Sequence, residues 1–366
     1  MDYPFQSIRL NGREVTLAEI CSKTVFPQDD FERNTFDFIG KWFQGQVEFY
    51  LRTSGSTGTA KNILISRDQM IASATATAHA LDLQRGMRAA VCLDTQFIAG
   101  QMMLVRCFNT GMSIDAVSPT ADPLKSLGFE TPVDFIAFVP LQVQTILSST
   151  SGRSNLSKVK TMIIGGAPLS QSEEDLLGQF PVRAFMTYGM TETISHIALR
   201  RINGTSRSNA YTTLPGITVR TDERSCLIAN CPYIRAEVVT NDLVRLVNNT
   251  SFEWIGRVDN VINSGGLKIA PEVLEAQIVL IFSEMKMNGR FIISSMPDAT
   301  LGEKVVLVLE GSDLKKGEND RIMHILQESL PKYHAPRLVA SLSAFPLTPT
   351  GKINRREVRA LLSKNL

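Results

Sequence analysis

Residues 51–65 read LRTSGSTGTAKNILI, and their centre, Ser54, Gly55, Ser56, Thr57, Gly58, Thr59, Ala60 and Lys61, packs hydroxyls, glycines and a lysine between two apolar, strand-like segments. Glycine lets the backbone turn with positive φ and approach a ligand closely, so successive N–H groups can line one concavity that suits an anion. The hydroxyls add donors and Lys61 adds a full charge, which is what a polyphosphate needs. The spacing is G-x-x-G-x-x-K, not the G-x-x-x-x-G-K-[ST] of a Walker loop, so that reading fails. A loop of this composition also reads as a plain turn, and the rest of the chain has to decide between the two.

The chain has 366 residues, more than one hydrophobic core usually supports, so two or more units are expected. Apolar residues make up 43% and charged residues 20%, enough apolar material for a sizeable core. The 38 basic and 36 acidic side chains nearly cancel, which removes the electrostatic footprint of a nucleic-acid or membrane-surface binder. The N-terminal residues carry no basic and apolar leader pattern, and no stretch reaches the ~20 apolar residues of a membrane span, which predicts a cytoplasmic protein. Cys21, Cys92, Cys107, Cys226 and Cys231 form no C-x-x-C and are odd in number, so they read as small apolar residues rather than a disulfide framework.

Apolar spacing predicts a helix over residues 29–43 and a strand over 47–51 leading into the opening loop. Ser66 with Gln69 signals a capped helix to about residue 83, and Ser170 with Glu173 caps another. Strands are expected at 89–93, 113–116, 135–139, 161–164 and 182–187, with a helix over 99–109 and a surface loop over the serine-rich 148–157. Strands alternating with helices predict α/β layers with a mostly parallel sheet. In such sheets ligands bind beyond the carboxyl ends of the strands. Two motifs fall there: Gly165-Gly166-Ala167-Pro168, where small residues let a flat ring lie against the backbone, and Thr187-Tyr188-Gly189-Met190-Thr191-Glu192-Thr193, which offers an aromatic face, a hydroxyl and a carboxylate. Taken alone, the first is also a common turn and the tyrosine a core residue.

Farther on stand Thr240-Asn241-Asp242, then GRVDNVINSGG from Gly256, and finally PLTPTGKINR from Pro346. Together, TSGSTGTAK, GGAP, YGMTET, TND with GRVDNVINSGG, and PLTPTGKINR resemble, in this order, the adenylate-forming acyl/aryl-CoA ligase superfamily. The resemblance runs from about residue 51 to the C-terminus. Within the superfamily, YGMTETISHIAL and GRVDNVINSGG are most similar to the o-succinylbenzoate:CoA ligases of menaquinone biosynthesis. The chain is shorter than typical members, with the difference before residue 51, so a trimmed N-terminal subdomain is expected. Thr59-Ala60 stands where Lys-Pro is common, and Asn241 where a glycine usually precedes the ribose aspartate.

The resemblance implies roles residue by residue. Ser54, Gly55, Ser56, Thr57, Gly58 and Lys61 would hold the β- and γ-phosphates of ATP, and Gly165, Gly166, Ala167 and Pro168 with Tyr188 and Gly189 would hold adenine. Thr191 would touch the α-phosphate, Glu192 would hold Mg²⁺, and Asp242 with Arg257 would grip the ribose. Lys352 would be the catalytic lysine that offsets charge as a carboxylate attacks the α-phosphate. The fold implied is a large layered α/β N-terminal domain over residues 1–258 and a small mobile α+β lid over 259–366, hinged at Asp259. A histidine such as His196 on an apolar run reads as a hydrogen-bonded core residue or as part of an acyl pocket, and Gln96 as surface-polar or pocket-lining.

The function implied is ATP-dependent ligation of a carboxylic acid, 2-succinylbenzoate, to coenzyme A through an acyl-adenylate, with a homodimer compatible. Other aryl- or fatty acyl-CoA ligases and carrier-loading adenylating enzymes share the pattern. An inactive nucleotide-binding regulator is the reading from another class, and Lys61, Glu192, Asp242, Arg257 and Lys352 together argue against it.

Overall fold

The computed structural model describes residues 6–52, 62–285, 287, 289–311, 317–348 and 353–365. The first helices form where the sequence supplies caps. The Asp29 carboxylate accepts from Glu32 N–H ahead of the helix Asp30–Phe43, and Ser66 with Gln69 makes a reciprocal capping box on Arg67–Leu81. Ser170 and Glu173 do the same for Gln171–Leu177.

The largest sheet has 13 strands. Ser7–Leu10, Ser113–Ala116, Arg88–Val91, Val133–Phe138, Val159–Ile164 and Arg183–Gly189 lie side by side in that order, all parallel. Period-2 alternation sends Ala89, Val91, Phe135 and Ala137 into the core on one face. Ala90, Cys92, Ile136 and Phe138 enter a second core on the other. Strands buried on both faces are continuously apolar, which is why these were readable.

Two expectations need correction. The sheet is parallel only on that side: past Gly189 the strands His196–Arg201, Tyr211–Thr213, Ser251–Arg257, Val238–Asn248, Cys226–Asn230 and Thr218–Thr221 pair antiparallel. Short connections such as the turn at Thr191–Thr193 leave no room for a crossover helix, so successive strands reverse. The serine-rich stretch 148–157 is not a loop. Ser149 accepts from Gly152 N–H and starts the helix Thr150–Leu156, which buries Gly152 and Leu156.

The strands Glu48–Arg52 and Asn62–Ser66 form an antiparallel pair that flanks the glycine-rich loop. Beyond Arg257, Ile262–Ser264, Leu267–Ile269, Phe291–Asp298, Gly302–Glu310 and Leu338–Leu342 build a separate five-stranded sheet. The helices Pro271–Glu284 and Glu318–Ser329 pack on it around their own core, which includes Ile278, Leu307 and Leu326. Arg355–Asn365 covers the other face through Val358 and Leu362. Pro271 occupies the first helical turn, where its missing N–H costs nothing. This gives a large layered α/β unit and a small α+β unit. No helix among the described residues is long and apolar enough to cross a membrane.

Candidate active site

The two parallel strands Val159–Ile164 and Arg183–Gly189 end together and present the motifs that follow them. Thr187 Oγ1 donates to Ile164 O at 3.1 Å, and Gly165 N–H donates to Phe138 O at 3.1 Å, so the GGAP turn is fastened at its root. A Cβ on Gly165 would lie 2.7 Å from Thr187 Oγ1, and Gly166 has φ of +99° with open space around it. Gly166 is exposed, as is Pro168, and Ala167 is half-buried. Among the described residues, no side chain stands over the backbone at Gly166.

At Gly189 the backbone is closer still: a Cβ there would sit 2.4 Å from both His196 Cα and Ser195 O. The chain then turns through Thr191–Thr193. Thr193 Oγ1 lies 2.9 Å from Met190 O and 2.7 Å from Ser195 O, and accepts from Met190 N–H at 2.9 Å. Buried Ile194 takes φ of +71°, a conformation that costs a β-branched residue free energy and that recurs at functional turns. The turn leaves Thr191 half-buried and Glu192 exposed.

Asp242 and Arg257 are register partners on adjacent antiparallel strands. The Tyr188 hydroxyl donates to Asp242 Oδ2 at 2.6 Å, and Arg257 Nη1 donates to Asp242 Oδ1 at 3.4 Å. The other Arg257 nitrogen, Nη2, donates to Asp259 Oδ2 at 2.8 Å. Burial, then the Asp242 charge, raises the Tyr188 hydroxyl far above its ordinary value, so it stays a donor. At Arg257 burial opposes the charge, but Asp259 and Asp242 outweigh it and hold the guanidinium protonated. Tyr188 is only 9% exposed and packs edge-on to Phe252 with centroids 5.1 Å apart. It therefore backs the site and orients Asp242 more than it offers a free ring face.

Behind the Thr191–Thr193 turn lies a group the sequence did not reveal. Arg106, 2% exposed, donates from Nη2 to Ser195 Oγ at 2.7 Å and lies 3.3 Å from His196 Nδ1. His196 Nε2 is 3.1 Å from Thr77 Oγ1. The Arg106 guanidinium makes no ion pair among the described residues, and its Nε–H, the Tyr233 hydroxyl and the Ser73 hydroxyl are buried without hydrogen-bond partners there. Burial lowers Arg106 to about 10, which still leaves it charged near neutrality. Burial and then Arg106 hold His196 well below its ordinary value, so the imidazole is neutral and must accept at Nδ1 and donate from Nε2. Its reading as a hydrogen-bonded core residue holds. The only advance signal for Arg106 was one cation within the apolar helix Ile98–Thr110. Gln96 is exposed.

Ser54, Gly55, Ser56, Thr57, Gly58, Lys61 and Lys352 lie outside the described residues. The residues flanking Lys352 are pinned: Leu347 bridges Ile353, and Asn354 N–H donates to Pro346 O at 2.8 Å. Arg355 then pairs with Glu275 at 2.6 Å.

The AMP-binding enzyme family model matches residues 46–225. A crystal structure of an acyl-CoA synthetase (AMP-forming)/AMP-acid ligase II-like protein from Dyadobacter fermentans is 37% identical, covers 94% of this chain and 97% of its own, with a TM-score of 0.61. The chain belongs to the adenylate-forming, AMP-binding enzyme family. A 2-succinylbenzoate–CoA ligase from Bacillus cytotoxicus is 24% identical over 85% of this chain and 69% of its own length. The o-succinylbenzoate coenzyme A synthetase of Bacillus subtilis, solved with ATP and magnesium ion, shares the fold at a TM-score of 0.69 and 20% identity, covering 84% of this chain and 69% of its own. The chain spans 57% of the length of a pseudomonine synthase from Pseudomonas entomophila and 72% of a 2-succinylbenzoate–CoA ligase from Bacillus cereus, both of which it matches.

An adenylate-forming enzyme joins an acid to AMP from ATP, so the site has to hold a nucleotide, its phosphates and a carboxylate. Among the described residues no three acidic, histidine or cysteine side chains gather as a metal cage. Magnesium that arrives with nucleotide phosphates needs only one or two protein carboxylates. Glu192, exposed on its turn, would be one such carboxylate. The ion would supply charge neutralisation at the phosphates.

Proposed function

We propose that the chain ligates 2-succinylbenzoate to coenzyme A, the ring-carboxylated acid of menaquinone biosynthesis, in the cytoplasm, where ATP and coenzyme A are available. The acid's succinyl carboxylate attacks the α-phosphorus of ATP and pyrophosphate leaves; the coenzyme A thiol then attacks the acyl carbonyl and AMP leaves. Asp242 and Arg257 hold the ribose, Gly165 to Pro168 with Tyr188 and Gly189 bound the adenine pocket, and Thr191 meets the α-phosphate. The loop from Ser54 to Lys61 cradles the outer phosphates, and Lys352 stabilises the charge that develops at the α-phosphate.

The observation that carries the choice of acid is Arg106. A guanidinium buried without a counter-ion costs several kcal/mol. A ligand carboxylate arriving beside Ser195, one layer behind the Thr191–Thr193 turn, offsets that cost with charge-assisted hydrogen bonds. A diacid such as 2-succinylbenzoate has one carboxylate to activate and one to place there.

The test compares pyrophosphate release from 2-succinylbenzoate and from 4-oxo-4-phenylbutanoate, the same acid without its ring carboxylate. Wild type should prefer the diacid by at least about 10²-fold in kcat/KM, the scale of a buried charge pair losing one partner. Arg106→Met should lose that preference. Equal use of both acids by wild type, or an Arg106→Met enzyme that keeps the preference, would refute this choice of substrate. Turnover only with another aryl or fatty acid, or only with a carrier protein as acceptor, would move the chain to those alternatives.

A further inference from the structure

Asp259 is held from two neighbouring strands. Besides the bond from Arg257, Asn241 Nδ2 lies 3.2 Å from each Asp259 carboxylate oxygen. The amide is itself oriented, because Asn241 Oδ1 accepts from Arg224 Nη1 at 3.0 Å. Arg224 is fixed in turn by Asp222, with Nε to Oδ2 at 2.8 Å, and by Thr240 O at 3.2 Å. A chain of side chains from Asp222 through Arg224 and Asn241 thus ends on the residue where the large unit gives way to the small one. Asn241 is also the residue before the ribose aspartate, where the superfamily pattern has glycine. A glycine there could make none of these contacts.

We propose that Asn241 is a positioning residue that pins the Asp259 carboxylate and so biases the residues 260–366 unit toward the orientation seen in this structure. The inference rests on the two-step reading above. Adenylation needs Lys352 at the α-phosphate, and thioester formation needs the same space open to the coenzyme A thiol, so one enzyme has to occupy two orientations. A side chain that bonds the pivot in one of them sets the population of the other. Arg257 strengthens the link, since it joins Asp259 to Asp242 and therefore to the ribose. The latch and the nucleotide share a residue.

Asn241→Gly removes the contact, and Asn241→Asp sets a like charge against Asp259. Double electron–electron resonance between spin labels at Glu130→Cys and His324→Cys, in a Cys21→Ser background without ligands, reads the orientation whatever acid the enzyme uses. The expected result is a new distance population in Asn241→Gly, larger in Asn241→Asp, with thermal stability little changed. In parallel, single-turnover pyrophosphate release and thioester formation from preformed acyl-adenylate should change in ratio by roughly ten- to hundredfold, the effect of one hydrogen bond to a charged group. Unchanged distances in both variants would overturn the proposal, as would equal losses in the two half-reactions. An enzyme inactive with every acid would defeat the functional reading while the distance measurement still decided the role of Asn241.

Discussion

His196 shows how far a single environment can be read. Its ordinary value is 6.5, and burial followed by the Arg106 charge pushes it well below that in the folded chain. The unfolded chain takes up a proton as pH falls through 6.5 and the folded chain does not, so stability is full above that value and falls below it. Urea unfolding at pH 7.5 and pH 5.5 should show wild type losing about 1 kcal/mol more over that interval than His196→Gln, which has no group to titrate. Equal losses would mean that the imidazole titrates in the folded chain as it does in the unfolded one. The histidine was legible as a core residue from its apolar run. Its partner was not, because Arg106 meets Ser195 and His196 across about ninety residues of chain and nothing local in either segment marks the pairing.

At the scale of the element, the packing of Arg183–Gly189 on His196–Arg201 demands a residue without Cβ at the turn. Gly189→Ala would put a methyl against backbone atoms of the facing strand, which cannot rotate away as a side chain could. It should cost roughly 1–3 kcal/mol and abolish acid activation. Gly40, inside the helix Asp30–Phe43 with nothing within 4 Å of its Cβ position, is the contrasting case. Gly40→Ala should stabilise by about 0.5–1 kcal/mol. Denaturant unfolding of the two variants checks both signs, and matching effects would contradict the geometry. Elements announced by caps or by doubly buried runs were readable within a few residues, as Ser66 with Gln69 and the strand Val133–Phe138 show. The antiparallel side was not. In Val238–Asn248 the buried positions are Thr240, Asp242 and Val244, and two polar residues facing inward hide the alternation that marks a strand. Thr240 Oγ1 donates to Leu227 O at 2.8 Å, and Asp242 accepts from Tyr188 and Arg257.

On the scale of the whole molecule, two cores explain two units. Ile262, Leu274, Ile278 and their neighbours form a cluster that, among the described residues, draws on none before Ile262, so the smaller unit has a core of its own. Side chains of Arg257, Asp259 and Asn241 meet where the two cores adjoin, and a boundary at residues 258–259 is our proposal. Motif order and resemblance put a boundary there as an expectation; the hydrogen bonds near it come from side chains on separate strands and were invisible in the sequence. In the proposed reaction this assembly activates a carboxylic acid as an adenylate and passes it to a thiol. Quenched-flow measurement with 2-succinylbenzoate and ATP, without coenzyme A, should release about one equivalent of pyrophosphate per enzyme and then stall, as for a retained intermediate. Adding coenzyme A should restore turnover and yield AMP and the acyl-CoA thioester in equal amounts. ADP in place of AMP, or no pyrophosphate burst with any carboxylic acid, would contradict the account.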